Sequence, residues 1–226
     1  MPNIVKNTTI IGPLDLLAPH TCRGCGRLGN ILCDCCKNNI AKNHKNFCPN
    51  CKNNNQNGKC QNCKDLPPTF VVGKRSGLLD ILIQDLKYHS VRASVKPLAE
   101  LLNNSLPKFK GDVVIVPLPT ISKHIRARGL DHTYLIAKYL AKLRNYKVQK
   151  LLLRNKDTVQ VGTNRSTRLT QAETAYGINP KIKPNKNTTY ILLDDVWTTG
   201  ASFHAAEKKL RQSGAQKIIF SVLAVS

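Results

Sequence analysis

The stretch from Tyr190 to Ser202 restricts the possible fold of this chain more than any other part of the sequence. It opens with four apolar residues bounded by polar ones, which is typical of a strand buried on both faces in a parallel sheet. Asp194 and Asp195 end that segment, and a short loop of small and hydroxylated residues follows. Apolar residues then recur at the spacing of one helix face, before a glycine that would end the helix: Phe203, Ala206, Leu210 and Gly214. The stretch therefore predicts a strand, an acidic pair, a loop and a helix, in that order.

The loop and the acidic pair indicate the chemistry of a ligand. A loop at a helix N-terminus presents backbone N–H groups and hydroxyls, which together suit a phosphate. The residues predicted to form this phosphate site are Val196, Thr198, Thr199, Gly200, Ala201 and Ser202. Asp194 and Asp195 would repel a phosphate, but they can accept hydrogen bonds from the vicinal hydroxyls of a ribose, at about 1.5–3 kcal/mol each. The sequence therefore predicts a ligand that carries both groups. The alternative is an ordinary strand–turn–helix unit with an incidental acidic pair.

Eight of the nine cysteines form four C-x-x-C pairs: Cys22 with Cys25, Cys33 with Cys36, Cys48 with Cys51, and Cys60 with Cys63. Two thiolates at this spacing can bind one tetrahedral ion, and the segment holds few apolar residues that could form a core. We therefore expect structural zinc, two ions for eight ligands. Two consecutive sites built from neighbouring pairs close the shortest loops and are the preferred arrangement. A cross-braced arrangement is the alternative, and Cys35 has no assigned role.

The chain is strongly basic. Its 226 residues carry a net charge of +22, with an isoelectric point near 9.9, which favours anionic partners such as nucleic acid, polyphosphate ligands or anionic membrane surfaces. The alternative explanation is a proteome in which proteins are basic in general. No segment has the length of a membrane span, and the first residues lack the layout of a signal peptide, so we expect a cytoplasmic protein.

Paired prolines after Leu66 mark a boundary, because they stiffen the chain and block helix formation. Residues 1–66 are predicted to form a Cys-rich double zinc ribbon, and residues 69–226 an α/β domain with a mostly parallel sheet flanked by helices. Beyond the 190–214 unit, we predict strands at 70–72, 113–116, 148–152 and 218–224, and helices at 78–89, 95–106 and 131–144. The first two helices are expected to cap an edge of the sheet.

A second loop is expected to face the same cleft as Asp194. The predicted strand 113–116 ends at Pro117, and the loop that follows reaches Thr120. Basic residues come next, among them Arg126 and Arg128, and they suit a diphosphate. The polar stretch 154–176, with Arg165 and Arg168, is interpreted as a basic loop that closes over the diphosphate. A disordered insertion is the alternative.

The residues from 190 to 202 closely resemble the 5-phosphoribosyl-1-diphosphate (PRPP) signature of type I phosphoribosyltransferases, with every position filled. The whole chain resembles the ComF family of competence proteins, which joins a double zinc ribbon to such a domain. The matching segments are the four cysteine pairs, Leu86-Lys87-Tyr88, Val116-Pro117-Leu118-Pro119, residues 126–132, residues 153–158 and the PRPP signature. The chain departs from the family at Leu130-Asp131-His132, where the family usually reads Phe-Asn-Gln. The family's basic Arg-x-x-Arg segment is only partly kept, since Gln171 replaces an Asn.

This resemblance implies a type I phosphoribosyltransferase-like domain that binds PRPP with Mg²⁺. It implies that Asp194 and Asp195 hold the ribose as catalytic residues and that the loop 196–202 holds the 5′-phosphate. Thr120, Arg126, Arg128 and Lys87 would hold the diphosphate. It also implies a role in natural transformation, with single-stranded DNA and the DNA-uptake machinery as partners. The enzyme hypothesis is phosphoribosyl transfer from PRPP to an acceptor. The alternative is a non-catalytic protein that senses PRPP or phosphate and binds single-stranded DNA.

Overall fold

The computed structural model of the chain describes residues 20–42, 47–155 and 175–226. The first part holds short elements around the cysteines: β1 (His20–Thr21), β2 (Leu28–Gly29), α1 (Asp34–Lys42), β3 (Asn55–Gln56) and β4 (Lys59–Cys60). The elements up to the fifth helix are β5 (Thr69–Lys74), α2 (Gly77–Tyr88), α3 (Val95–Ser105), β6 (Val113–Pro117), α4 (Ser122–Arg128) and α5 (His132–Arg144). The remaining elements are β7 (Lys147–Val148), β8 (Leu152–Arg154), β9 (Tyr176–Ile178), β10 (Thr189–Trp197), α6 (Ala201–Gln212) and β11 (Lys217–Val225).

Five of these strands form one parallel sheet in the order β5, β11, β10, β6, β7. The centre of the sheet is β10, which pairs with β11 from Thr189 to Trp197 and with β6 from Thr189 to Leu193. Its apolar residues are almost fully buried because layers cover both faces, which is why they form a continuous run instead of alternating with polar residues. The predicted parallel α/β sheet flanked by helices is confirmed.

Side chains of β10 alternate between two cores. Ile191 and Leu193 pack in a core with helices α2, α3 and α5, whereas Tyr190 and Leu192 pack in a second core with helix α6 and the β8–β9 hairpin. Successive strand residues point to opposite faces, so this alternation continues to the acidic pair at the end of the apolar run. The two carboxylates therefore leave the strand in different directions.

The described part of the Cys-rich segment, residues 20–42 and 47–66, packs against both cores. Its first part, with Cys22 and Cys36, joins the core of α2, α3 and α5, and its second part, with Cys48 and Cys60, joins the core of α6. It also pairs with the start of the edge strand β5, since the Thr69 N–H donates to the Gly58 carbonyl (2.7 Å). An open edge strand would otherwise expose unpaired backbone groups. The division into domains at 1–66 and 69–226 stays a prediction.

Two details of the predicted architecture are wrong. The single strand expected at 148–152 is two short strands: β7 lies at the edge of the main sheet, and β8 pairs antiparallel with β9. The chain leaves the main sheet between these two strands. The Gln149 N–H still donates to the Ile115 carbonyl of β6, whereas the Leu151 side chain already packs in the second core. Helix α3 packs on the face of the sheet against β5 and β11 and does not merely cap its edge.

The basic residues Arg165 and Arg168, together with Gln171, lie outside the described residues. None of the described helices is long and apolar enough to cross a membrane.

Candidate functional site

A cavity of about 200 Å³ opens at the carboxyl ends of β6 and β10. Its lining combines three cationic side chains with the acidic pair and several hydroxyl and apolar groups. The lining residues are Lys87, Leu118, Pro119, Thr120, Ile121, Arg128, His132, Arg154, Tyr176, Asp194, Asp195 and Ser202. Parallel α/β sheets bind ligands at this end of their strands, so the cavity lies where the acidic pair predicts it.

Asp195 is held by two partners on the α2–α5 side of the sheet. One carboxylate oxygen pairs with Lys87 Nζ at 2.8 Å, and the other lies 2.5 Å from His132 Nε2. Both Asp195 and His132 are buried. Burial alone would raise the pKa of Asp195, but the hydrogen bond from His132 and the charge of Lys87 outweigh it and hold this pKa well below its usual value. Asp195 is therefore an ionised carboxylate with both oxygens engaged.

The tautomer of His132 follows from its second neighbour. Arg128 Nη1 lies 3.5 Å from His132 Nδ1, and a guanidinium can only donate. The tautomer that satisfies both contacts accepts at Nδ1 and carries its proton on Nε2, which donates to Asp195. Arg128, His132, Asp195 and Lys87 thus form one chain of polar contacts along a wall of the cavity.

Asp194 has a different environment. It points to the α6 side, is half-buried, and accepts a hydrogen bond from the backbone N–H of Asp195 (2.9 Å). Burial and the neighbouring charge of Asp195 raise the pKa of Asp194 well above its usual value. Arg154 and the buried Tyr176, whose ring centroid lies 5.0 Å from the Arg154 guanidinium, complete this side of the cavity. Of the acidic pair, Asp194 is the carboxylate that no cation neutralises by direct contact among the described residues.

The predicted phosphate loop lies between β10 and α6. Thr198 and Thr199 are exposed, and Gly200 has a left-handed backbone with φ of 76°. A side chain at Gly200 would collide with the buried ring of Trp197, which itself stacks on Phe203 with centroids 5.0 Å apart. The glycine is therefore required both by its backbone angle and by the aromatic cluster beneath it.

The structure brings most of the predicted site residues together. Six of them line the cavity: Lys87, Thr120, Arg128, Asp194, Asp195 and Ser202. Five others lie next to it: Val196 in the end of β10, Thr198, Thr199 and Gly200 in the loop, and Ala201 at the start of α6. Arg126 is exposed on α4 and does not line the cavity.

Sequence reasoning gave no role to His132, Arg154 or Tyr176. His132 was named only as a departure from the family pattern. It stands where the family has a Gln, and this exchange of an amide for an ionisable side chain was a signal that the position makes an additional electrostatic contact. Arg154 and Tyr176 stood at the two ends of the polar stretch 154–176. Their strands β8 and β9 pair with each other, which is what carries both to the cavity.

The eight paired cysteines form two compact clusters. The first comprises Cys22, Cys25, Cys33 and Cys36, the second Cys48, Cys51, Cys60 and Cys63, and within each cluster all four sulfurs lie within 4.8 Å of one another. The Sγ atoms of Cys25 and Cys33 are 3.7 Å apart, close to the roughly 3.8 Å between ligands of a tetrahedral zinc ion bonded at about 2.3 Å. Each cluster therefore fits one zinc ion. The consecutive arrangement is confirmed, the cross-braced one is wrong, and Cys35 is exposed outside both clusters.

Architecture and site together define a parallel α/β domain with a ligand-sized cavity at the carboxyl ends of its strands and an N-terminal module of two four-cysteine clusters. No family model matches the sequence. The chain is 25% identical over 196 residues to competence protein ComFC of Streptococcus pneumoniae, a match that covers 84% of this chain and 85% of that protein. The resemblance to the ComF family that the motifs predict is thus confirmed across most of the chain.

Two solved structures show weaker similarity, each at 16% identity. One is described as the allosteric regulatory enzyme of purine biosynthesis, with a TM-score of 0.41 over 58% of this chain and 26% of that one. The other is glutamine PRPP amidotransferase from B. subtilis complexed with ADP and GMP, with a TM-score of 0.40 over 57% of this chain and 26% of that one. The aligned part of this chain thus spans about a quarter of either solved chain.

The first prediction concerns the metal content. Metal analysis of the purified protein should give two zinc ions per chain, because each four-cysteine cluster fits one. Cys25→Ser should lose one ion, since it removes a ligand of the first cluster. Cys35→Ser is the matched control and should keep both ions. A loss of zinc in the control would contradict the assignment of Cys35 outside the clusters.

The second prediction concerns stability and separates the two acids. Asp194→Asn should raise the melting temperature at pH 7 by a few degrees, because it removes a carboxylate whose ionisation is disfavoured in the folded state. Asp195→Asn should lower the stability by about 3–5 kcal/mol, since it leaves Lys87 buried without its ionic partner.

The pH dependence of these variants follows from the pKa directions. The raised pKa of Asp194 means that its ionisation costs stability as the pH rises above the unfolded value. The advantage of Asp194→Asn should therefore vanish below pH ~4, where Asp194 is protonated in both states. The contribution of Asp195, whose pKa is lowered, is present above the unfolded value and is lost as the pH falls through the folded value. Thermal unfolding of both variants between pH 3 and 8 measures this, and equal shifts for the two would contradict it.

Proposed function

We propose that the cavity binds PRPP and that the protein transfers its phosphoribosyl group to an acceptor. The observation that carries the proposal is the placement of two different recognition elements on one strand end. Asp194 lies near the carboxyl end of β10 and the Gly200 loop follows that strand directly, while Lys87 and Arg128 line the same cavity as Asp194. A ligand with a ribose between two phosphate groups matches this order of groups.

Each part of the ligand has a partner. The ribose hydroxyls would donate to Asp194, and the 5′-phosphate would lie on the N–H groups and hydroxyls of the loop from Thr198 to Ser202. The diphosphate would be held by Thr120, Arg128 and Lys87, whereas the exposed Arg126 lies outside the cavity. Mg²⁺ favours carboxylate and phosphate oxygens in combination, so the acidic pair and the bound diphosphate together suit it.

The chemistry that this arrangement supports is substitution at the ribose C1. The bond from C1 to the diphosphate oxygen breaks with its electron pair leaving on diphosphate, the acceptor forms a bond to C1, and the acceptor loses a proton. The developing positive charge at the ribose is favoured by the neighbouring carboxylates, and the negative charge on diphosphate by Lys87 and Arg128. Positioning and charge neutralisation then supply most of the catalysis.

The third prediction tests PRPP binding. Trp197 is the only tryptophan of the chain and lies under the Gly200 loop, so occupation of the loop should change its fluorescence. PRPP with Mg²⁺ should bind, and Asp194→Asn should weaken binding about tenfold or more because the amide cannot ionise when the ribose hydroxyls donate to it, as the carboxyl group can. Asp112→Asn, an exposed acid at the opposite end of β6, is the matched control and should bind as wild type.

Diphosphate release separates an enzyme from a binding protein. If PRPP binds and diphosphate appears only when an acceptor is added, the protein is a transferase. Binding with no release across a panel of nucleophiles would favour the non-catalytic PRPP sensor. Unchanged PRPP affinity in Asp194→Asn would contradict the ribose contact itself.

A second candidate function is binding of single-stranded DNA in competence. It is supported by the net charge of +22 and by the relative from Streptococcus pneumoniae, which is a competence protein. Among the described residues, Tyr88 is the only aromatic side chain that is largely exposed, at 63%. Binding would therefore depend more on phosphate contacts than on stacking.

The fourth prediction follows from this dependence of DNA binding on phosphate contacts. The affinity for a labelled oligonucleotide should fall steeply with salt, with a log–log slope of about −0.7 per phosphate neutralised. Saturating PRPP with Mg²⁺ should leave the affinity unchanged if the cavity is a separate site. A flat response to salt would remove the DNA hypothesis, and clean competition by PRPP would show that DNA phosphates enter the cavity.

A further inference from the structure

The first cysteine cluster makes an unusual contact with the helix that carries Lys87. Arg23, which directly follows the ligand Cys22, donates from Nε to Asp85 Oδ2 at 2.7 Å and from Nη2 to Asp85 Oδ1 at 3.3 Å. Asp85 lies in the last turns of α2 and is 6% exposed. A bidentate guanidinium–carboxylate pair fixes both distance and orientation, which a lysine could not do.

A second contact fixes the start of the same helix. Gly24 lies so close to Leu78 and to the Cys36 sulfur that an added Cβ would be 2.9 Å and 2.7 Å from them. The knuckle between Cys22 and Cys25 therefore touches α2 at its first turn and, through Arg23, near its end. The first cysteine cluster therefore contacts α2 near both of its ends.

The position of α2 matters to the cavity because of one residue. Lys87 follows Asp85 by two residues and is the contribution of α2 to the cavity lining, where it pairs with Asp195 at 2.8 Å. Its ammonium is also the cation proposed to meet the diphosphate. A small shift of α2 would change both interactions, since the Lys87 side chain is largely buried and has little freedom to compensate.

We infer that Arg23 is a positioning residue for the cavity: the first cysteine cluster fixes helix α2 through the Arg23–Asp85 pair and so places Lys87 against Asp195. This gives the first cluster a role in ligand binding in addition to stabilising its own segment. The inference rests on the proposed function only for the identity of the ligand.

The same cluster supplies a matched control. Lys37, which directly follows the ligand Cys36, pairs with Glu100 on α3 at 2.7 Å. Helix α3, which the structure describes over its whole length, contributes no residue to the cavity lining. Arg23 and Lys37 thus each join the first cluster to one helix by an ion pair. Only the helix that Arg23 contacts, α2, contributes a residue to the cavity lining.

The experiment compares Arg23→Met with Lys37→Met in the full-length, zinc-loaded protein. Zinc content and melting temperature are measured first, and then PRPP affinity by Trp197 fluorescence in the presence of Mg²⁺. Arg23→Met should keep two zinc ions and bind PRPP about tenfold more weakly, within the range measured for mutations that act through a structural network. Lys37→Met should lower the melting temperature without changing PRPP affinity. Arg23→Lys, which keeps the charge but not the bidentate geometry, should recover only part of the loss.

Amide hydrogen exchange adds a readout that needs no ligand. Arg23→Met should speed exchange in the peptide that covers α2, and Lys37→Met in the peptide that covers α3. If the variants show this pattern but the wild type does not bind PRPP, the proposed function fails and the positioning role stands. Equal effects of the two variants on PRPP affinity, or unchanged exchange of α2 in Arg23→Met, would overturn the inference.

Discussion

The buried ion pair between Lys87 and Asp195, extended by His132, is the interaction on which the site depends. It joins α2, β10 and the start of α5, three elements that are far apart in the sequence, just beyond the point where the central strand stops pairing with β6. A buried charge is costly unless it is paired and hydrogen-bonded on every side, and here both carboxylate oxygens are engaged. The pair therefore allows an ionised acid at a position that would otherwise favour a neutral one.

The same interaction gives the two acids of the pair different roles. Because Asp195 is neutralised by its own partners, its charge is largely committed to holding the walls of the cavity together. Asp194 lies on the other side of the strand, where burial and the adjacent charge make its ionised form unfavourable. A ligand that donates hydrogen bonds or brings a metal ion to Asp194 would relieve that cost. The two neighbours in sequence thus have different chemical roles because the alternation of the strand sends them to different environments.

The extent to which the sequence predicts this structure depends on the range of the contacts involved. The strand–acid–loop–helix unit and the consecutive cysteine clusters depend on local periodicity and short loops, so both could be predicted. The partners of Asp195 could not, because His132 is separated from it by 63 residues and no local pattern marks the contact. The break between β7 and β8 was also missed, although the polar Gln149 and Lys150 interrupt the apolar residues there; the strand partners show that Val148 and Leu152 belong to two different sheets. Nothing in the sequence distinguishes Arg23 from the other basic residues of its segment, and only the fold shows that it pairs with Asp85.

The charges of the cavity differ from those of the chain as a whole, and this bears on how it can recognise an anion. Lys87, Arg128 and Arg154 face Asp194 and Asp195 in one cavity, so the lining is nearly balanced although the chain carries a net charge of +22. Lys87 already pairs with Asp195, which leaves Arg128 and Arg154 as the remaining cations of the lining for a ligand with two phosphate groups. Such a ligand would need the N–H groups of the helix N-terminus at one end and a divalent cation at the other. A long anionic polymer has the opposite requirement, since it gains most from the many dispersed cations on the surface and little from one enclosed cavity. Charge distribution alone therefore favours separate places for the two kinds of ligand on this protein.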